Sequence, residues 1–284
     1  MLKSRLCIAF FAFAVGCAPA QKPLTDYVNP MLGTATLWDS VDLGFKPTKR
    51  TWGAEVFPGS SLPNAMVQVS PVTKFHSGAG YQYEDSVIYG FTHTNKGHWN
   101  LCHIPLLPVT GTPTPGDYCS PFSHERESAA PGYYQVFLDR YGVDAQLSST
   151  LRCAFHKYTY PAGAAASLLA DLQRSNEHVR AWDIRKEGDN VFAGWQQTGE
   201  KMYFYAVANR PVTGIEPVVE GDREVRIVRF GEGDGALELR IGFSFVSEKN
   251  ARENLEAEML GKSFAEVRSE ATATWNDLLG RIRV

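Results

Sequence analysis

The sequence predicts a mainly β protein: a large antiparallel β-sandwich followed by two C-terminal linker helices. Three observations predict it. First, short segments between Tyr27 and Phe245 alternate apolar and polar residues, as in Tyr133–Leu138, Lys201–Val207 and Leu237–Phe243. Second, turn signals separate these segments, among them Pro131-Gly132, Tyr141-Gly142, Glu187-Gly188-Asp189-Asn190 and the run Gly231–Gly235. Third, the apolar period becomes helical only after Ser247. Many short strands joined by tight turns bury their apolar faces by stacking two sheets.

The first 20 residues read as an export signal. Lys3 and Arg5 precede the apolar run Leu6–Gly16, which is too short to span a bilayer. Ala18-Pro19-Ala20 offers ordinary cleavage, while Ala14-Val15-Gly16-Cys17 offers a lipoprotein box with lipid on Cys17. The expected location is therefore the periplasm, or the outer membrane as a lipoprotein, including the cell surface. A lipid on Cys17 would be the only membrane tie.

Residues 21–246 form the expected sandwich domain. Its opening segment, Phe57–Pro71, begins with the turn pairs Pro58-Gly59 and Pro63-Asn64. It then alternates from Met66 to Ser70, and Pro71 is expected to stop the strand. The body holds Cys102, Cys119 and Cys153, an odd number without CxxC spacing. One disulfide or three buried thiols both fit. Formal net charge is −3 and no basic stripe runs along the chain, which excludes nucleic acid as a partner.

Residues 247–284 form the expected helical linker. Ala251, Leu255 and Met259 follow a helical period that Gly261 ends. Ser263 with Glu266 is a capping-box pattern. Phe264, Val267, Ala271, Trp275, Leu278 and Ile282 then fall on one stripe that needs a packing partner.

Ordered motifs along the chain carry a family resemblance. They run from Tyr27-Val28-Asn29-Pro30 through Phe57–Pro71, Gly80-Tyr81-Gln82-Tyr83 and Ser86–Thr94. They continue through Pro105–Gly111, Ser123-His124-Glu125, Ala130–Tyr134, Asp139–Val143, Val246–Glu258 and Trp275–Leu279. In this order they resemble the N-terminal domain of the calcium-dependent α-mannosidases of glycoside hydrolase family ninety-two. The resemblance implies a β-sandwich, a helical linker and then an (α/α)-barrel catalytic domain. It implies inverting hydrolysis by an acid and a base, with calcium helping to distort the sugar. It places both carboxylates and most calcium ligands in the barrel, which this sequence lacks. No catalytic residue, metal ligand or cofactor is therefore expected in this chain, and the barrel, in cis or on another chain, is an expected partner. One segment departs from the family pattern: His93–His103 replaces the usual "SHTHLSGTG" and the Asp-rich stretch after it. Linkage and sugar stay open.

Candidate glycan-contacting residues are Trp99, His98, Gln82, Tyr83, His93 and Trp52. Indoles offer a flat apolar face with an N–H handle to a pyranose, and core filling is the alternative for both tryptophans. Gln82, Tyr83 and His93 lie in the resembling motifs, where bracing the sandwich wall is the alternative. His124 and Glu125 read as structural. His93, His98 and His103 recur every five residues. That spacing alternates faces on a strand and spreads the rings on a helix, so hydrogen bonding is expected rather than metal binding. Asp39/Asp42, Glu84/Asp85 and Glu125/Glu127 are carboxylate pairs, but closeness in sequence does not set the separation a hydrolase needs. The expected function is the cleft-forming, carbohydrate-binding N-terminal domain of an exported α-mannosidase, inactive alone and directed at an α-mannoside or related glycan. A stand-alone carbohydrate-binding surface module is the alternative.

Overall fold

The computed structural model describes residues 22–36, 44, 55–95 and 100–282. In chain order the strands are β1 (Ser60–Ser61), β2 (Gln68–Val72), β3 (Val87–Ile88), β4 (Gly90–Thr92), β5 (Leu106–Val109) and β6 (Ser120–Pro121). Next come β7 (Glu127–Ala130), β8 (Tyr133–Leu138), β9 (Val143–Ser149), β10 (Cys153–Thr159) and β11 (Ser167–Ala170). The last are β12 (Ala181–Gly188), β13 (Val191–Gln197), β14 (Lys201–Ala208), β15 (Val212–Glu220), β16 (Arg223–Phe230) and β17 (Leu237–Ser244). Two helices follow, α1 (Glu248–Glu258) and α2 (Phe264–Leu279).

Among the described residues the strands form a seven-stranded sheet, β1-β2-β4-β5-β11-β16-β15, and an eight-stranded sheet, β12-β13-β14-β17-β10-β9-β8-β7. The strand ladders are antiparallel, and a small β3–β6 ribbon stands apart. The expected sandwich with C-terminal helices is what the chain forms. The alternating segments Tyr133–Leu138, Lys201–Val207 and Leu237–Phe243 lie in β8, β14 and β17, as expected.

The core lies between the sheets because strand side chains alternate faces. In β10, Ala154, His156 and Tyr158 are fully buried within the sandwich. Cys153 and Phe155 point the other way, into a second apolar layer with Leu255, Met259, Phe264 and Val267. This second layer binds the helices to the back of the eight-stranded sheet. Phe264 meets Phe155 edge-on, with centroids 5.3 Å apart. Burial of such a side chain contributes about 1.5–3 kcal/mol.

Ser263 caps α2 in a full capping box with Glu266, as expected. The α2 stripe divides. Phe264, Val267 and Ala271 are buried, and Trp275 is half-buried with its Nε1 donating to Ser61 O at 2.7 Å. Leu278 is exposed, and Ile282 lies beyond the helix end and is 81% exposed. Tight turns allow this packing. Gly132, between β7 and β8, has φ +79°, and a Cβ there would lie 2.6 Å from the Ala271 methyl.

One expectation is corrected. Pro71 does not stop its strand; it sits inside β2 opposite Phe91. The reason is that β1 spans only Gln68 and Val69, so at Pro71 one side of β2 carries no ladder bond to lose. The stretch after Tyr27 opens with turns: Leu24–Tyr27 is a 3-10 turn, residues 30–33 form a further turn, and the first described strand begins at Ser60. The three body cysteines are free thiols, Cys102 and Cys153 buried and Cys119 half-buried.

Candidate functional site

Three loop regions meet at one end of the sandwich: residues 73–86, the described residues 93–95 and 100–105, and residues 171–181. Short polar side chains knit them. The Asn176 amide donates to Asn100 O (2.8 Å) and Ser77 O (3.3 Å), and its Oδ1 accepts from His76 N (2.7 Å). The Asn95 amide donates to Gln68 O and Thr92 O, and its Oδ1 accepts from Thr92 Oγ1 and Asn100 Nδ2. Asn and Asp side chains reach nearby backbone groups, so they close loops that lack a ladder. Gly80 is required here: its φ is +78°, and a Cβ would sit 2.3 Å from Asn100 Nδ2. His76, Cys102 and Ile104 also take positive φ, at 62°, 51° and 55°. The loops are thus held in uncommon backbone states by many bonds, as functional segments often are.

Two clefts open beside these loops. The larger, about 790 Å³, is lined by His76, the segment Gln173–Ser175, the segment Glu177–Trp182 and Arg223. The smaller, about 430 Å³, is lined by Thr73–His76, Glu84–Val87, Tyr89 and Arg174. His76 and Arg174 belong to both. Arg174 lies over the rings of Phe75 (4.3 Å) and Tyr89 (4.7 Å), which hold the guanidinium in place by cation–π attraction. Arg223 is anchored differently, donating at 2.6 Å to the buried carboxylate of Asp171.

Of the sequence-predicted residues, the structure describes Gln82, Tyr83 and His93. Tyr83 is exposed and stacks on the His124 ring, 3.9 Å between centroids and 3° from parallel. His124 in turn contacts Glu127 Oε2 (2.6 Å) through Nδ1 and Tyr83 O (2.7 Å) through Nε2. Gln82 is half-buried, its backbone N–H bonded to Thr73 Oγ1 and its amide to Thr36 Oγ1. Gln82 and Tyr83 adjoin the smaller cleft through Glu84 and Asp85 without lining it. The His93 ring faces the core and contacts His156 at 3.0 Å. Trp52, His98 and Trp99 lie outside the described residues.

The described histidines and carboxylates of the candidate groups engage separate partners. His93 turns to His156, whereas His103 contacts Thr94 Oγ1 and Thr198 Oγ1. Among the described residues no three His, Cys, Asp or Glu side chains converge as a metal would need. Glu84 bonds Thr36, and Asp85 accepts from Thr73. Glu127 is buried and accepts from the hydroxyls of Tyr81 and Tyr134. Burial pushes both phenols upward, and the Glu127 charge adds to it. Asp39/Asp42 lie outside the described residues.

Sequence reasoning missed His76, Arg174, Arg180, Trp182 and Arg223. They come from distant segments and share no motif. Only the turn-forming Ser175-Asn176 beside Arg174 hinted at a loop.

Comparisons with known proteins agree with this fold. The profile of the glycosyl hydrolase family 92 N-terminal domain matches residues 27–254. An uncharacterized secreted glycosidase of Arthroderma benhamiae is 24% identical over 90% of this chain. The family GH92 α-mannosidase BT3965 of Bacteroides thetaiotaomicron superposes with a TM-score of 0.79 over 91% of the chain, at 26% identity. That enzyme has also been solved in complex with mannoimidazole. The inverting mannosidase BT2199 of the same organism shares the fold, with a TM-score of 0.76 over 91% of the chain at 23% identity. The chain spans 38% of the length of the Arthroderma relative and of BT3965, and 36% of BT2199. By the profile match, which covers most of its length, the chain belongs to glycosyl hydrolase family 92, of which residues 27–254 are the N-terminal domain.

Proposed function

We propose that this chain is the glycan-facing N-terminal part of an exported, inverting α-mannosidase. Its role is to form one wall of the cleft and bind the sugar, not to break the bond. The observation that carries the reading is the placement of the two clefts. They meet at His76 and Arg174, beside the motif segments Gly80–Tyr83 and Ser86–Thr94. Similarity to α-mannosidases, one of them solved with mannoimidazole, supports a mannoside-like glycan.

On this reading the acid and the base that inversion needs, about 6.5–9.5 Å apart across the sugar, stand outside these 284 residues. The most buried carboxylate of the candidate pairs, Glu127, supports this because three donors already occupy it. On the same reading, calcium and the barrel partner that the family resemblance implies belong to that other part. The leader Lys3–Gly16 and the name of the Arthroderma relative support export, with lipid on Cys17 as the membrane tie.

A second reading is a stand-alone carbohydrate-binding module. It is favoured by α1 and α2, which fold back on the eight-stranded sheet and bury their own apolar layer. Calorimetry and a hydrolysis assay of the purified chain with α-linked mannobiose test both. Weak binding without turnover is expected. Turnover at an enzyme-like rate would overturn the non-catalytic reading, and absence of binding would overturn both.

A further inference from the structure

The two adjoining clefts differ in charge. The smaller sets Lys74 and Arg174 against Glu84 and Asp85, and so is balanced. The larger sets Arg174, Arg180 and Arg223 against Glu177 alone, with His178 beside them. This is a cationic cleft on a protein whose formal net charge is −3.

The arginines are prepared for a ligand in different ways. Arg223 spends part of its charge on Asp171, whose carboxylate is fully buried and also accepts from Tyr118. Arg174 is fixed by aromatic faces and by its Nη1 donating to Tyr118 Oη (3.3 Å), not by a carboxylate. Arg180 is exposed, and its backbone N–H is tied to Gln197 O at the start of β12. Neither Arg174 nor Arg180 forms an ion pair among the described residues. Two guanidiniums without a carboxylate partner line one cleft, so an anion seated there is attracted by both. A guanidinium fork matches the two oxygens of a carboxylate or the oxygens of a phosphate or sulfate ester. Trp182, on the same wall, is half-buried against the core with Arg226 5.3 Å from its ring centroid, and its remaining indole surface is offered to the apolar face of a sugar ring.

We propose that the larger cleft binds an anionic glycan, holding the acidic substituent of a sugar with Arg174 and Arg180 while Trp182 packs on the ring. The inference rests on the glycan-facing reading above and narrows it to charged sugars. The neighbouring balanced cleft would then hold an uncharged residue of the same chain.

The test is calorimetric titration of the full chain with three separate probes: an oligogalacturonate, inorganic phosphate and neutral α-mannobiose. Oligogalacturonate is expected to bind at least roughly tenfold more tightly than mannobiose at low salt, and to weaken steeply by about 0.5 M salt. Arg180→Gln and Arg174→Gln are each expected to weaken it by roughly tenfold, the size of one charge-assisted hydrogen bond, and to weaken mannobiose by a smaller factor. Arg180 is exposed and unpaired, so its variant should fold normally, and circular dichroism checks this. Phosphate binding with the same two-arginine dependence would support the anion site and point to an ester rather than a carboxylate. If both acidic probes bind no better than mannobiose, or if neither variant changes their affinity, the proposal falls. Mannobiose binding alone would sink this inference and leave the broader glycan reading standing.

Discussion

His93 and His156 face each other across the core, Nε2 to Nε2 at 3.0 Å, with both rings fully buried. His156 continues the chain to Tyr158 Oη at 2.6 Å, and Phe91 and Phe243 pack around the pair. One imidazole must donate and the other accept, so both are neutral. Burial pushes His93 down from 6.5 to about 3, and pushes His156 well below its usual value, helped by the neighbouring ring.

Acid should therefore destabilise the fold through this pair. Between about pH 6.5 and 3 the unfolded chain binds protons that the folded core refuses, so stability falls as pH falls. The slope is at most about 1.4 kcal/mol per pH unit for each ring. Thermal melts across this range are expected to show it, with a shallower acid limb for a His93→Gln, His156→Gln double variant. An unchanged limb would remove the pair as the cause.

Glu127 should be a keystone of the loop end. It accepts from the buried hydroxyls of Tyr81 and Tyr134 and contacts His124, which supports Tyr83. Glu127→Ala leaves those hydroxyls unpaired, at about 1–3 kcal/mol for each. Urea denaturation should show a loss of about 2–5 kcal/mol. A loss below about 0.5 kcal/mol, typical of a surface change, would refute the role.

Gly242 should be the contact that seats α1 on the sheet. A Cβ there would lie 2.1 Å from Ala251 O and 2.7 Å from Leu255 Cβ. Gly242→Ala must push the helix off β17, and a loss of roughly 1–3 kcal/mol with faster proteolysis of the C-terminal segment is expected. Gly199→Ala, with nothing within 4 Å, is the matched control and should melt like the parent.

Thiol reactivity should separate the cysteines. Burial pushes the Cys102 thiol up to about 12, and burial with nearby Glu258 pushes Cys153 upward too. Only the half-buried Cys119 is then open to a disulfide reagent at mildly alkaline pH. With Cys7 and Cys17 replaced by serine, one thiol is expected to react in the folded protein and three after denaturation. Rapid reaction of three in the folded protein would contradict the burial.

Much of the fold was legible because local rules govern it. Period-two alternation marked β8, β14 and β17, and Ser263 with Glu266 marked the start of α2. Pro71 misled because its tolerance depends on how far β1 runs, which no local pattern records. The site was less legible. Gln82 and Tyr83 stood out by motif, yet the clefts are lined by Arg174, Arg180 and Arg223, which carry no signature. His93 read either as a glycan contact or as a brace of the sandwich wall, and its ring turns inward to His156, 63 positions away, a partner that no local pattern records.

The sequence by itself determined the strand-and-turn character, the two terminal helices, the caps and the family, since each rests on neighbouring residues or on ordered motifs. Only the tertiary structure decided which side of a strand faces the core, where the α2 stripe ends and which arginines share a cleft. Those outcomes depend on contacts between segments far apart in the chain. Such contacts are chosen by burial and charge pairing in three dimensions, and no window of sequence contains them.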